Sequence, residues 1–211
     1  MHSLPTALLL GSYPTLKKYS TIVPPYVTPE MREGWSPYKR NPKNDVRYWA
    51  VPGTPDFAHR IGGLEKSAAT GAISNDPANH HSMVEARARK VEKIAQTIPA
   101  LQVEGDENAD LLIVGFGGTY GHLCEAMQQM NKDGKKTALA HFRYINPLPA
   151  NTAEVLRKYK KIVVAEQNMG QFAGYLRTKI KGIDLCQYNE VKGQPFNVAT
   201  LVEEFTKIME G

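Results

Sequence analysis

Cysteine is scarce in this sequence, with two residues, Cys124 and Cys186, in 211. The two cysteines form no CxxC pair, so the sequence supports neither a set of iron–sulfur ligands nor a disulfide framework. A chain that does not depend on disulfides is typical of a reducing compartment, and we expect it to be cytoplasmic.

Long apolar runs are also missing where a targeting segment would need one. A short run covers residues 7–10 and has no basic region before it. Because this run is too short to cross a bilayer, the sequence predicts neither a signal peptide nor a membrane anchor.

The formal net charge is +5, but the lysines and arginines form no run and do not alternate with aromatic residues. This distribution argues against nucleic-acid binding. A modest basic excess instead suits docking to an acidic protein partner.

Helical periodicity is absent from residues 1–75, and nine of the 14 prolines lie in the first 60 residues. Such composition predicts an extended linker segment that lies over another surface. Disordered chains are poor in aromatic residues, so the aromatics here favour an ordered segment. They are Trp35, Tyr38, Tyr48, Trp49 and Phe57.

Residues 76–107 are predicted to form a strut helix and a connection. Asp76 can cap the helix, Pro77 suits its first position, and Pro99 ends it. An apolar stripe through this helix indicates that it packs on one side.

Residues 108–211 alternate between strand and helix patterns. The four consecutive apolar residues 111–114 are typical of a parallel strand that is covered on both faces. Further strands are predicted at 136–144, 161–166 and 183–188, and helices at 119–134, 151–159, 169–180 and 195–209. This order predicts an α/β fold, a three-layer helix–sheet–helix sandwich with a mostly parallel sheet.

A glycine turn follows the first strand, with Gly115, Gly117 and Gly121 in the spacing GxGxxxG. One interpretation is a variant dinucleotide fingerprint, for which Arg143 could accept a 2′-phosphate. The other, which we favour, is strand–helix packing and a subunit contact. The candidate contact residues of this turn are Gly117, Gly118, Thr119, Tyr120 and Gly121.

Glu166, Gln167 and Asn168 end the third predicted strand. Ligands of open α/β sheets bind at the carboxyl ends of strands, so these residues and the glycine turn are expected at one edge. Glu166 could act as a general base, but no paired acid or nucleophile is near it in sequence. A structural or interface role is favoured, and no catalytic residue is predicted.

The histidines do not predict a metal site. His80 and His81 are adjacent on the strut helix and point about 100° apart, so they cannot easily share one ion. His141 alternates with apolar residues in a strand and is expected in the core or an interface. Asn151 is expected to cap the helix that follows Pro149.

Seven motifs, taken in order, resemble one family. They are AVPGTP (50–55), HRIGGLEK (59–66), NDPANHHSMVEARARKVEKIA (75–95), GFGGTYG (115–121), HFRYINPLP (141–149), AEQNMGQFA (165–173) and KGQPF (192–196). Together they resemble the C-terminal part of the α subunit of 2-oxoacid:ferredoxin (acceptor) oxidoreductases, nearest to the 2-oxoglutarate type. The resemblance runs from about residue 13 to the end.

The resemblance implies a fold similar to the C-terminal domain of transketolase for residues 108–211. It also implies a whole enzyme that uses thiamine diphosphate, Mg²⁺ and an iron–sulfur cluster to oxidise a 2-oxoacid with coenzyme A and reduce ferredoxin. None of these cofactors is expected in this chain, which lacks a GDG…N diphosphate motif. The partners implied are the N-terminal part of the α subunit and a β subunit.

Three functions are compatible with these patterns. The first is a non-catalytic assembly domain of such an oxidoreductase, inactive alone, in which the glycine turn, Arg143 and the segment 166–168 contact other subunits. The second is a free-standing nucleotide-binding module that uses the glycine turn. The third is a protein-interaction module. The chain has Glu65, Lys66 and Ser67 where many relatives have Glu-His-Asp, so this motif does not fix the substrate.

Overall fold

The computed structural model describes residues 23–211, and the apolar run at residues 7–10 lies outside them. The chain divides after Ile94 into two compact units, residues 23–94 and 95–211. The helices are α1 (Pro77–Ile94), α2 (Tyr120–Lys132), α3 (Thr152–Arg157), α4 (Gln171–Lys179) and α5 (Val198–Glu210). The strands are β1 (Glu104–Gly105), β2 (Leu111–Phe116), β3 (Thr137–Phe142), β4 (Lys161–Glu166) and β5 (Cys186–Asn189).

The second unit is built on a five-stranded sheet in the order β1-β3-β2-β4-β5. β2, β3, β4 and β5 run parallel, and β1 pairs antiparallel with β3 at the edge. In the register, Leu112 lies between Ala138 on β3 and Ile162 on β4. The predicted mostly parallel sheet is therefore confirmed, while the two-residue β1 was not predicted.

Each face of the sheet carries its own hydrophobic core, because successive strand residues point to opposite faces. On one face Leu112 and Val114 of β2 pack with residues of α3 and α4, including Leu156 and Leu176. On the other face Leu111 and Ile113 pack with residues of α2 and α5. The helices therefore form one layer on each face, which confirms the helix–sheet–helix sandwich.

A side chain caps the start of α5 but not the start of α3. α5 begins after Asn197, whose side chain accepts a hydrogen bond from the backbone N–H of Thr200 at 3.1 Å. Asn151 precedes α3 but makes no side-chain cap, so the prediction that it caps this helix was wrong. Its amide instead bonds the backbone of Leu101.

In the first unit, α1 starts as predicted. Pro77 is its first residue, and the Asp76 carboxylate accepts the N–H of Ala78 at 3.0 Å. The helix ends at Ile94, one turn before the predicted end.

The segment before α1 packs on this helix within the first unit. Asp45 forms an ion pair with Lys93 at 2.7 Å, and the Asn79 amide donates to the Lys66 carbonyl at 3.0 Å. The ring of Trp35 lies against Phe57, edge to face, with centroids 5.2 Å apart. Residues 23–94 therefore form one compact unit.

Candidate functional site

The candidate site lies at the carboxyl ends of the parallel strands of the second unit. From β2 the chain passes through α2 to β3 on one side, and from β3 it passes through α3 to β4 on the other side of β2. The connections therefore diverge between β2 and β4, which is where open α/β sheets form their ligand crevice.

The glycine turn occupies the end of β2. Gly117–Thr119 form a 3-10 turn that leads into α2. Gly117 has a φ of +64°, a conformation that favours glycine. A Cβ on Gly117, Gly118 or Gly121 would meet no atom within 4 Å, so these residues leave open space beside the turn.

Gly115 is different because it is enclosed. A Cβ on Gly115 would overlap the side chain of Leu123 and lie 2.9 Å from the hydroxyl oxygen of Thr119. This close approach brings the start of α2 onto β2. Strand–helix packing, the interpretation favoured from the sequence, therefore applies to Gly115 in this structure.

A cavity of about 550 Å³ opens beside the ends of β2 and β3, on the side of β2 opposite to β4 and therefore not at the point of divergence. Its polar walls include Gly117, Tyr120, His141 and Arg143, together with Glu104 from β1. The Tyr120 hydroxyl donates to the Glu104 carboxylate, with distances of 2.9 and 3.2 Å to its two oxygens. This hydrogen bond, followed by burial, raises the pKa of Tyr120 to about 12.

His141 forms the inner wall of this cavity. Its ring packs edge to face on Tyr120 with centroids 5.2 Å apart. Burial, followed by the charge of Arg143, lowers the pKa of His141, so the neutral imidazole is favoured. The expected core or interface histidine is therefore a half-buried wall residue.

Arg143 makes no ion pair with any residue in the range 23–211 and is exposed. Its guanidinium can pair with a carboxylate or phosphate from outside the domain. Thr119, by contrast, is buried, and its hydroxyl donates to the Phe116 carbonyl at 2.9 Å. The Arg143 side chain is therefore accessible to a partner, whereas the Thr119 side chain is not.

The carboxyl end of β4 is occupied by contacts within the domain. Glu166 is fully buried, and its oxygens accept the backbone N–H groups of Phe172 at 2.7 Å and Ala173 at 2.9 Å. These bonds satisfy donors at the start of α4 and place a carboxylate at its positive end. Glu166 therefore holds α4 in place rather than lying on an open surface.

The two residues after Glu166 also have local partners. The Asn168 side chain accepts the N–H groups of Gly170 at 2.8 Å and Gln171 at 3.0 Å. The Gln167 amide donates to the Gln194 carbonyl at 2.7 Å. The structure thus brings Gly117, Tyr120 and Arg143 to one cavity, while residues 166–168 organise the neighbouring strand end.

Glu104 and the segment before it were not identified from the sequence. They reach the cavity because the Asn151 amide bonds both backbone groups of Leu101, 50 residues away. No local sequence pattern predicts a hydrogen bond between residues so far apart in the chain. The alternation of apolar and polar residues from Leu101 to Glu104 is the one signal that could have indicated an edge strand.

The histidines of α1 bind carboxylates. His80 Nδ1 lies 2.7 Å from Glu65, and His81 Nε2 lies 3.5 Å from Glu85. Within residues 23–211, no group of three or more His, Cys, Asp or Glu side chains is placed to hold a metal ion. Over the same residues, no helix is both long enough and apolar enough to cross a membrane.

Comparisons with known proteins match both units. The family model of pyruvate:ferredoxin oxidoreductase core domain II matches residues 109–200. The 2-oxoglutarate oxidoreductase subunit KorA of Mycobacterium tuberculosis is 44% identical over 165 residues, 78% of this chain and 25% of KorA. The α subunit of 2-oxoacid:ferredoxin oxidoreductase 2 of Aeropyrum pernix is 29% identical over 158 residues, 71% of this chain and 24% of that protein.

A solved structure of a 2-oxoglutarate:ferredoxin oxidoreductase matches the fold of this chain. The 2-oxoglutarate:ferredoxin oxidoreductase of Magnetococcus marinus, determined with 2-oxoglutarate, coenzyme A and succinyl-CoA bound, superimposes with a TM-score of 0.83 at 28% identity. The match covers 93% of this chain and 34% of that one. The chain spans about a quarter of the length of the curated relatives it matches. It therefore carries core domain II of the pyruvate:ferredoxin oxidoreductase type and is a relative of the α subunits of 2-oxoacid:ferredoxin oxidoreductases, which confirms the resemblance predicted from its ordered motifs.

Proposed function

We propose that the chain is the C-terminal assembly part of the α subunit of a thiamine-diphosphate-dependent 2-oxoglutarate:ferredoxin oxidoreductase. In this proposal it is not catalytic itself. It holds the N-terminal part of the α subunit and a β subunit together around an active site that those partners supply. Thiamine diphosphate, Mg²⁺ and the iron–sulfur cluster belong to the partners, and ferredoxin meets the whole enzyme, which is cytoplasmic.

The observation that carries the proposal is the exposed apolar surface at the carboxyl edge of the sheet. Tyr120, Tyr144, Ile145 and Met169 follow the ends of β2, β3 and β4, and each is more than 40% exposed, with Met169 at 78%. Large apolar side chains that cluster on a surface mark protein contacts. Arg143 lines the same cavity as Tyr120 and Tyr144, and arginine is typical of the polar anchors of interfaces.

The similarity to KorA supports the oxidoreductase context and the substrate class. It favours this function over an interaction module without an enzyme, because 165 aligned residues at 44% identity include residues outside core domain II. The nucleotide-binding alternative is less favoured. Glu104 places a carboxylate in the cavity beside Tyr120, where a nucleotide phosphate would meet like charge.

Reconstitution tests the proposal. The chain is purified alone and also co-expressed with the matching N-terminal α part and β subunit from the same genome. We expect the complex to reduce a viologen dye with 2-oxoglutarate and coenzyme A, and the chain alone to be inactive. Oxidation of 2-oxoglutarate by the isolated chain would overturn the non-catalytic role.

The contact surface is tested in the same system. Tyr144→Ala combined with Met169→Ala should reduce co-purification of the partners without lowering the melting temperature of the isolated chain. Val84→Ala is the matched control, since Val84 is 46% exposed but lies on α1 of the first unit. Undiminished assembly of the double variant would show that subunits meet elsewhere.

A further inference from the structure

The first unit contains a second cavity, of about 430 Å³, with strongly basic walls. We call it the basic cavity. Its charged residues are Arg40, Arg47, Lys66, Arg87, Lys90 and Glu65. Five cations and one carboxylate leave a formal charge of +4 on its walls.

Regular structure positions part of this wall. On α1, Arg87 follows Met83 by four residues and Lys90 follows Arg87 by three, so the three side chains share one face of the helix. Met83 is buried and lines the same cavity. The two cations are therefore held on the same side of the cavity.

Lys66 is the most unusual member because it is 1% exposed. Its ammonium donates to the carbonyl of Gly62 at 3.0 Å and also to that of Leu64. An ammonium has three N–H donors, so one remains without an acceptor among the described residues. Buried lysines are nearly always paired with an anion, yet no carboxylate in residues 23–211 forms an ion pair with Lys66.

The other cations are only partly compensated. Arg87 pairs with Glu65 at 3.2 Å, but Lys90 and Arg47 form no ion pair within residues 23–211. The Arg47 guanidinium lies over the Tyr38 ring, 4.6 Å from its centroid, which fixes its orientation.

Arg40 shows the cost of this crowding. Its Nε is buried without a hydrogen-bond partner among the described residues. Burial and then the neighbouring charge of Arg47 lower the pKa of Arg40. Like charges gathered around a concave surface repel one another, and an anion bound between them relieves that repulsion.

We propose that the basic cavity binds a small phosphate-bearing ligand, with the phosphate between Lys66, Arg47 and Lys90. Phosphate oxygens accept several hydrogen bonds at once and suit guanidinium and ammonium donors. The volume falls within the range of small-molecule sites, about 300–1,000 Å³. The charge of +4 favours a ligand with more than one negative charge.

Isothermal titration calorimetry tests the proposal. Inorganic pyrophosphate is titrated into the 211-residue chain without metal ions and at low salt. We expect saturable binding at one site and weaker binding of inorganic phosphate. Lys90→Gln and Arg47→Gln should each weaken pyrophosphate binding about tenfold, as loss of one charged hydrogen bond predicts. Lys43→Gln is the matched control: Lys43 is exposed, lies in the same unit and does not line the cavity, so binding should be unchanged.

Thermal melts of the two cavity variants show whether they remain folded. The proposal is overturned if folded wild-type chain shows no saturable binding at millimolar pyrophosphate, or if both variants bind as the wild type does. An oligoglutamate peptide is titrated in parallel. Binding of this peptide that Lys90→Gln abolishes, with no binding of pyrophosphate, would assign the cavity to an acidic protein segment instead.

Discussion

Asn151 joins Leu101 through two hydrogen bonds: its amide nitrogen donates to the Leu101 carbonyl at 3.0 Å, and its amide oxygen accepts the Leu101 N–H at 2.8 Å. The pair links two segments that are 50 residues apart. It satisfies both backbone groups of a buried residue, which would otherwise be costly to desolvate.

Asn151→Ala should therefore destabilise the chain by about 1–3 kcal/mol, the cost of leaving buried polar groups unpaired. Urea denaturation measures this loss. Asn108→Ala is the control, because Asn108 is exposed and its side chain forms no hydrogen bond that the structure describes. If both variants lose the same free energy of unfolding, Leu101 is not held by this amide.

Glu166→Gln should cost about 1–3 kcal/mol of unfolding free energy, because a neutral amide cannot replace a carboxylate that accepts two backbone N–H groups at the start of α4. Glu154→Gln tests the specificity of this effect. Glu154 is exposed and pairs with Lys158 one turn away, so its loss should stay within about 0.5 kcal/mol. If both variants lose the same free energy of unfolding, the buried hydrogen bonds of Glu166 do not stabilise α4 as described.

Much of the second unit could be predicted from the sequence because its signals are local. Residues 111–114 are apolar on both faces of a strand, and each later strand is separated from the next by a helical pattern. The strand ends were also predicted to bring the glycine turn and residues 166–168 to one edge of the sheet. In the structure the glycine turn shares a cavity with Arg143 instead, and residues 166–168 do not line that cavity.

The parts that could not be predicted depend on distant contacts. β1 has two residues, and the alternation of apolar and polar residues from Leu101 to Glu104 is too short to specify its pairing with Leu139. The same holds for Glu166: a carboxylate at a strand end looks available in sequence, and only the turn at Gly170 brings α4 back to enclose it. In the first unit, composition indicated order through its aromatic residues but gave no indication of the cations gathered around Lys66.

Phe205→Ala should destabilise the chain by about 3 kcal/mol, since Phe205 is fully buried in the core between α5 and the sheet. Val202→Ala, one turn earlier and only partly buried, should cost less. A chemical melt of each variant provides the comparison. A loss below about 0.5 kcal/mol for Phe205→Ala would mean that α5 does not pack on the sheet as described.

Gly115 and Gly118 differ in their surroundings: Gly115 is enclosed by side chains, whereas Gly118 faces open space. Gly115→Ala should cost about 1–3 kcal/mol, because its methyl group would overlap Leu123 in a well-packed core. Gly118→Ala should change stability little, since its Cβ would meet no atom within 4 Å. Differential scanning calorimetry of both variants measures the contrast. Similar melting temperatures for the two would contradict the close approach of α2 to β2.

The ion pair of Asp45 with Lys93 predicts how the first unit responds to acid. The hydrogen bond from Lys93 lowers the pKa of the Asp45 carboxyl below its ordinary value, despite burial, which acts in the opposite direction. A carboxyl whose pKa is lower in the folded state binds protons more readily when unfolded. Its contribution is therefore fully present above the ordinary pKa of about 3.9 and is lost as the pH falls through the folded-state value.

Asp45→Asn isolates this contribution. Asp45 has a φ of +56°, which asparagine also adopts readily, so the variant removes the charge and keeps the backbone conformation. We expect a lower melting temperature for the variant at pH 7 and a gap that closes as the pH falls below about 4. Asp184→Asn, at an exposed position without an ion pair in residues 23–211, should follow the wild type at every pH. A gap between wild type and Asp45→Asn that is constant from pH 7 to pH 3 would show that the ion pair with Lys93 is not its cause.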